Sequence, residues 1–136
     1  MRIFLDANIL FSAANPSGSI RQLLNIARGA GHECWADEHV IREAHRNLFL
    51  KQRERVADFE RLLTEVQCAT KLPNLPLHRL ETPLPENDRR VLAAAIALEC
   101  DALVSGDQTH FGPLCGKIVN GVKICSPRQL AEDMVK

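Results

Sequence analysis

The chain carries no surplus of charge of either sign: 17 lysines and arginines face 17 aspartates and glutamates, so the formal net charge is zero. It therefore has no global basic field to draw in nucleic acid, and any such binding needs a local patch. The five cysteines, at 34, 68, 100, 115 and 125, form no C-x-x-C pair, which excludes a zinc ribbon and a thioredoxin-like motif. The five histidines supply no H-E-x-x-H spacing for a helical zinc site. No apolar run approaches the roughly 20 residues that span a bilayer. The N-terminus enters MRIFLD directly, without the profile of a secretory signal. Most of the thiols stand in apolar surroundings, where cysteine packs as a small hydrophobe. These absences together point to a reduced, cytoplasmic compartment and no membrane partner.

What is present reads as one domain over residues 1–136, long enough for a sizeable core, with 46% apolar and 25% charged residues. Arg2–Leu5 reads as a short buried strand with Asp6 at its carboxyl end. A loop through NPSGS follows, in which Ser17 or Ser19 can cap a helix over about 20–28, stopped by the GAG at 29–31. A strand near 33–36 leads to Asp37 as an N-cap and a helix over about 38–50. A second helix covers about 52–66. The proline-rich stretch 72–85 reads as an irregular connection with a short extended piece near 78–81. DRRVLAAAIALEC is a helix, apolar all round at 91–98 and so covered on both faces. ALVSGD and VKICSP are strands, and PRQLAEDMVK is a closing helix with proline at its start. No internal repeat or linker is visible.

Strands alternating with helices imply an α/β fold, a central and mainly parallel sheet between helical layers. Such sheets bind ligands outside the carboxyl ends of their strands. Asp6, after the first strand, and Asp107, at the end of ALVSGD, then share one edge. Asp88 opens the helix that feeds the second of these strands, and Glu43 lies one turn inside the helix after Asp37. Four carboxylates gathered there repel one another unless protonated or bridged by cations. Oxygen ligands without histidine or cysteine partners suit Mg²⁺ or Mn²⁺. Neutralising one acid, such as Asp107, is then expected to relieve repulsion in the metal-free protein. Each acid also has a plainer reading: Asp88 as a first-turn helix acid, Glu43 as a solvated helix residue, Asp107 as a turn former. Asp6, set between two apolar runs, is the hardest to explain that way.

Three segments, FLDANIL, HVIREAHRNL and DRRVLAAAIALECDALVSGDQTHFG, resemble the PIN-domain family of metal-dependent ribonucleases, which includes the VapC-type toxins of toxin–antitoxin pairs. The resemblance spans nearly the whole chain and implies a three-layer α/β/α PIN-like domain. It sets the family's acidic quartet on Asp6, Glu43, Asp88 and Asp107, as catalytic residues holding Mg²⁺ or Mn²⁺. Glu86 is a rival for the third acid, but Asp88 immediately precedes the RRVLAAA run.

Asn8 matches the polar position two residues after the first acid, and Ser105 stands where the family often has threonine. Both are implied to orient carboxylates or bound water. Thr109 and His110 are read as loop-shaping or substrate-edge residues. Arg42, Arg46, Arg89 and Arg90 flank the acids and are candidates for gripping RNA phosphates. The implied activity is hydrolysis of RNA phosphodiesters, with an antitoxin protein and a second copy of the chain as implied partners. A non-catalytic PIN-like module binding RNA or protein is the alternative. A haloacid-dehalogenase-like phosphatase would require a second acid where Asn8 stands, and a receiver domain would need an acidic pair near its first strand.

Overall fold

The computed structural model describes residues 1–69, 84–107 and 109–135. In chain order these form β1 (Arg2–Leu5), α1 (Ala7–Ala13), α2 (Ser19–Gly29), β2 (Glu33–Asp37), α3 (Glu38–Lys51), α4 (Val56–Leu63) and β3 (Gln67–Ala69). Then follow α5 (Glu86–Ala97), β4 (Ala102–Val104), β5 (Ile118–Val119), β6 (Val122–Cys125) and α6 (Pro127–Met134). Most of the proline-rich connection, with its expected extended piece, lies outside the described residues.

The strands form one sheet in the order β3-β2-β1-β4-β6-β5, the central layer of a three-layer α/β/α fold. All neighbours are parallel except the edge pair of β5 and β6. Central strands of such a sheet are covered on both faces and therefore read as continuous apolar runs. Ile3, Phe4 and Leu5 of β1 and Ala102, Leu103 and Val104 of β4 are accordingly all buried. Helix α5 meets its expectation in the same way, with Val91 to Ala95 buried in succession. The core continues through Leu10, Leu24, Leu48, Phe59 and Leu92, contributed by five different helices.

Several local features differ from the sequence reading. ANILFSA, which extends the apolar run beyond Asp6, is the helix α1. Its buried residues Ala7, Ile9, Leu10 and Ala13 sit at helical spacing, and Asp6 caps its start. Neither Ser17 nor Ser19 caps α2; the N-cap is Gly18, with no side-chain bond. The helix expected over 52–66 is a 3₁₀ turn at Arg53–Arg55 followed by α4, and the chain then enters β3. The hairpin of β5 and β6 turns on Asn120 and Gly121, both at positive φ (49° and 85°). That is the Asn-Gly geometry of a two-residue hairpin loop.

From β1 the chain builds outward through β2 and β3, then returns to the other side of β1 with β4. The reversal leaves a crevice beyond the carboxyl ends of β1 and β4, where open α/β sheets bind ligands. Pairing of Leu5 with Val104 brings the next residues, Asp6 and Ser105, side by side.

Candidate active site

A cavity of about 440 Å³ opens at this reversal, within the range usual for ligand sites. Asp6, Asn8, Glu43, Asn87, Asp88, Asp107 and His110 are among the residues that line it. The four acids singled out in the sequence thus come from four separate segments to one place. Asp6 follows β1, Glu43 rides on α3, Asp88 lies in the first turn of α5, and Asp107 follows β4. Asp6 and Asp88 are only 6% and 7% exposed. Glu86, the rival third acid, is exposed and does not line the cavity.

Asp6 is held from both sides. One carboxylate oxygen accepts the Ala7 N–H at 2.8 Å, which caps α1. The other accepts the Ser105 hydroxyl at 2.7 Å and faces the Asn8 amide nitrogen at 3.4 Å. Asn8 also donates to the Ser105 hydroxyl oxygen at 3.3 Å and accepts the Gly106 N–H at 2.9 Å. Ser105 in turn accepts the Asp107 N–H at 3.0 Å. The N-terminal loop and the loop after β4 are thereby tied into one hydrogen-bonded unit. The acid between apolar runs serves both as helix cap and as cavity wall.

The electrostatics differ from one acid to the next. Burial raises the Asp6 carboxyl above its ordinary value; the Ser105 hydroxyl and the Ala7 N–H oppose this, while Asp88 and Glu43 add to it. Burial likewise raises Asp88, with His110 opposing and the charges on Asp107 and Glu43 adding. Asp107 moves the other way. Burial pushes it up, but the backbone N–H groups of His110 and Thr109 and the His110 ring outweigh that and hold it below its usual value. The expected relief from neutralising Asp107 is therefore corrected: its charge is the best accommodated of these three, and the strain resides on Asp6 and Asp88.

A second correction concerns histidine. The acids are not without a nitrogen partner, because the His110 ring nitrogen Nδ1 stands 2.8 Å from Asp88 and 3.0 Å from Asp107. One ligand atom from each of these three residues lies within 4.8 Å of the others. Two carboxylates and an imidazole so placed, with Asp6 and Glu43 in the same cavity, are a donor set that fits a divalent ion. The signal for His110 was its place three residues after Asp107.

None of Arg42, Arg46, Arg89 and Arg90 lines the cavity. Arg42 is paired with Glu38, one turn back on α3. Among the described residues the lysine or arginine that does line it is Lys51, which shares the lining with Asn47, Phe11 and Ser12.

The family model of the PIN domain matches residues 2–109. The chain belongs to the PIN-domain family. Among curated proteins none matches it in sequence. Its fold is similar to that of VapBC2 from Rickettsia felis, solved bound to a promoter DNA fragment, at a TM-score of 0.70 and 14% identity. That match covers 93% of this chain and 98% of the other. VapBC-1 from nontypeable Haemophilus influenzae is similar at a TM-score of 0.61 and 14% identity, over 94% of this chain and 99% of that one. The sarcin-ricin-loop-cleaving toxin VapC20 of Mycobacterium tuberculosis follows at 0.56 and 15%, over 86% and 98%. No helix among the described residues of this PIN domain is long and apolar enough to cross a membrane.

Proposed function

We propose that this PIN-domain protein is a metal-dependent endoribonuclease that hydrolyses RNA phosphodiester bonds. The observation that carries the reading is the convergence of Asp6, Glu43, Asp88 and Asp107 on one cavity at the sheet reversal. Asp6 and Asp107 would be the principal ligands of Mg²⁺ or Mn²⁺, with Glu43 and Asp88 completing the site directly or through water. When bound, one or two such ions neutralise the scissile phosphate and lower the pKa of an attacking water.

The chain's own residues supply the positioning. Ser105 and Asn8 hold one carboxylate oxygen of Asp6 and the Ala7 N–H holds the other; together they fix the carboxylate's orientation, as hydrogen-bonded neighbours of metal ligands commonly do. Loop residues 105–107 are held to α1 by Asn8, so Asp6 and Asp107 keep their relative placement without metal. Asp6 and Asp88 both resist ionisation through burial and through the charges of neighbouring acids, Asp88 and Glu43 for the first and Asp107 and Glu43 for the second, and a cation would offset that penalty.

The chain is taken as one unit over residues 1–136, since β6 beyond the matched family segment pairs with β4 in the same sheet. The likeness to VapBC assemblies supports a toxin role with an antitoxin protein as partner; a cytoplasmic location and self-association of the chain belong to the same proposal. A PIN-like module that only binds RNA or protein is the alternative; retention of all four acids favours the enzyme.

The deciding experiment incubates the purified chain with a mixed pool of RNA in Mg²⁺ or Mn²⁺ and maps the new ends. Cleavage should appear with the ion, vanish in excess chelator, and fall by orders of magnitude in Asp6→Asn. Cleavage that survives the chelator, or that Asp6→Asn leaves intact, would falsify the metal-nuclease reading.

A further inference from the structure

One helix contributes both an acid and a base to the cavity wall. Glu43, Asn47 and Lys51 follow one another at four-residue intervals on α3, which sets them on one helix face, and all three line the cavity. At 1.5 Å rise per residue, Lys51 lies about 12 Å along the helix from Glu43. Phe11 and Ser12 of α1, the helix packed against α3, line the cavity as well. The wall therefore runs from carboxylate through amide to ammonium over two turns.

A polyanion that enters toward four carboxylates meets repulsion, and a chain of zero net charge offers no general field to offset it. Within the cavity the compensating charge comes from Lys51, its one lysine or arginine among the described residues. Among the described residues Lys51 forms no ion pair, whereas Arg42 on the same helix is paired with Glu38. The other cation-forming group of the lining, His110, is committed to Asp88 and Asp107.

We propose that Lys51 and Asn47, with Ser12 across the cavity, form the subsite that holds an RNA backbone phosphate flanking the one to be cut. The proposal rests on the nuclease reading and assigns the grip on substrate to this wall rather than to the four arginines. The competing role for Lys51 is purely structural, complementing the helix dipole at the last position of α3. That role would show in stability and not in RNA affinity.

The test uses the full chain and a fluorescein-labelled single-stranded RNA of mixed sequence. In the Asp6→Asn protein, which should bind without cutting, Lys51→Gln should weaken RNA binding several-fold in fluorescence anisotropy. The slope of log affinity against log salt should fall by roughly 0.7, the value for one phosphate contact on a single strand. In the otherwise wild-type enzyme with Mn²⁺, Lys51→Gln should raise KM and leave kcat nearly unchanged. Lys51→Arg should restore both affinity and KM, and Arg61→Gln, on α4 and outside the cavity lining, should alter neither. Melting temperatures of Lys51→Gln and wild type should coincide. An unchanged affinity, salt slope and KM in Lys51→Gln, in an enzyme that cuts RNA, overturns the subsite and leaves the nuclease reading standing. A loss of affinity matched by a loss of melting temperature also overturns it. A wild-type chain that neither binds nor cuts RNA removes the nuclease reading, and the subsite with it.

Discussion

The Ser105 hydroxyl donates to the Asp6 carboxylate at 2.7 Å across 99 positions of sequence, and both groups are buried. The same Ser105 oxygen accepts the Asp107 N–H, so one hydroxyl joins two of the four acids. Ser105→Ala removes the donor and leaves a buried carboxylate oxygen with only the long Asn8 contact. Such an under-satisfied group costs about 1–3 kcal/mol. Urea unfolding of the metal-free protein should show that loss, and Ser105→Thr, which keeps the hydroxyl, should recover most of it. Equal stability of Ser105→Ala and wild type would mean that the bond contributes nothing.

Asp88 and Asp107 face the same imidazole but should titrate with opposite consequences. A carboxyl whose folded pKa is raised, as in Asp88, contributes stability below its unfolded pKa near 4. That contribution is lost as pH rises through the folded value. Asp88→Asn, which cannot ionise, should therefore melt above wild type in chelator at pH 7, with the advantage shrinking as pH falls toward 4. For Asp107 the folded pKa is lowered, so its contribution is present above the unfolded value and is lost as pH falls through the folded one. Asp107→Asn should melt below wild type at pH 7, and the gap should close in acid. Melting both variants from pH 3 to 7 checks the two signs, and shifts in the same direction would refute the assignment.

Metal should reverse the order for Asp88. Wild type gains RT ln(1 + [L]/Kd), about 2.7 kcal/mol at a hundredfold excess over Kd. A site lacking one charged ligand gains less, so adding Mn²⁺ should bring wild type level with Asp88→Asn or above it. Identical Mn²⁺-induced shifts in the two proteins would exclude Asp88 from the ion's surroundings.

Two other acids serve as controls. Asp37 caps α3 by accepting the Val40 N–H at 3.1 Å, and Asp101 accepts the Arg2 N–H at 2.8 Å at the start of β1. Neither lines the cavity. Asp37→Ala should cost roughly 0.5–2 kcal/mol, and either alanine variant should cut RNA within a few-fold of wild type. A folded Asp37→Ala protein as inactive as Asp6→Asn would move the site elsewhere.

Thiol chemistry should follow burial. Burial pushes Cys34 and Cys125 up to about 11 and Cys100 to about 12, and all three are inaccessible. Exposed Cys68 and half-buried Cys115 should take up iodoacetamide from the native protein at pH 8, and the other three only after unfolding. Mass spectrometry of the digested protein reads this directly.

Much of this molecule is legible in its sequence because the relevant signals are local. RIFL and ALV are short apolar runs bounded by turn formers, α5 is apolar all round, and Asp37 and Ser126 cap helices as their types prefer. The order of acids, helix and strand in DRRVLAAAIALECDALVSGD carried two of the four carboxylates, Asp88 and Asp107, and FLDANIL and HVIREAHRNL carried Asp6 and Glu43. Helix α1 and the Asn120–Gly121 hairpin had local signals too, an apolar spacing of three and four and an Asn-Gly pair. Glu43, Asn47 and Lys51 likewise stood at helical spacing in the sequence. What tertiary structure decided was which side chains meet and what each meeting does to a charge. Parallel pairing of β1 with β4 set Ser105 against Asp6, and the turn after Asp107 aimed two N–H groups and the His110 ring at that carboxylate. Burial and hydrogen bonds therefore raise Asp6 and Asp88 and lower Asp107, although all three are the same residue type. Desolvation and distant partners belong to the folded state, and no local pattern of residues encodes them.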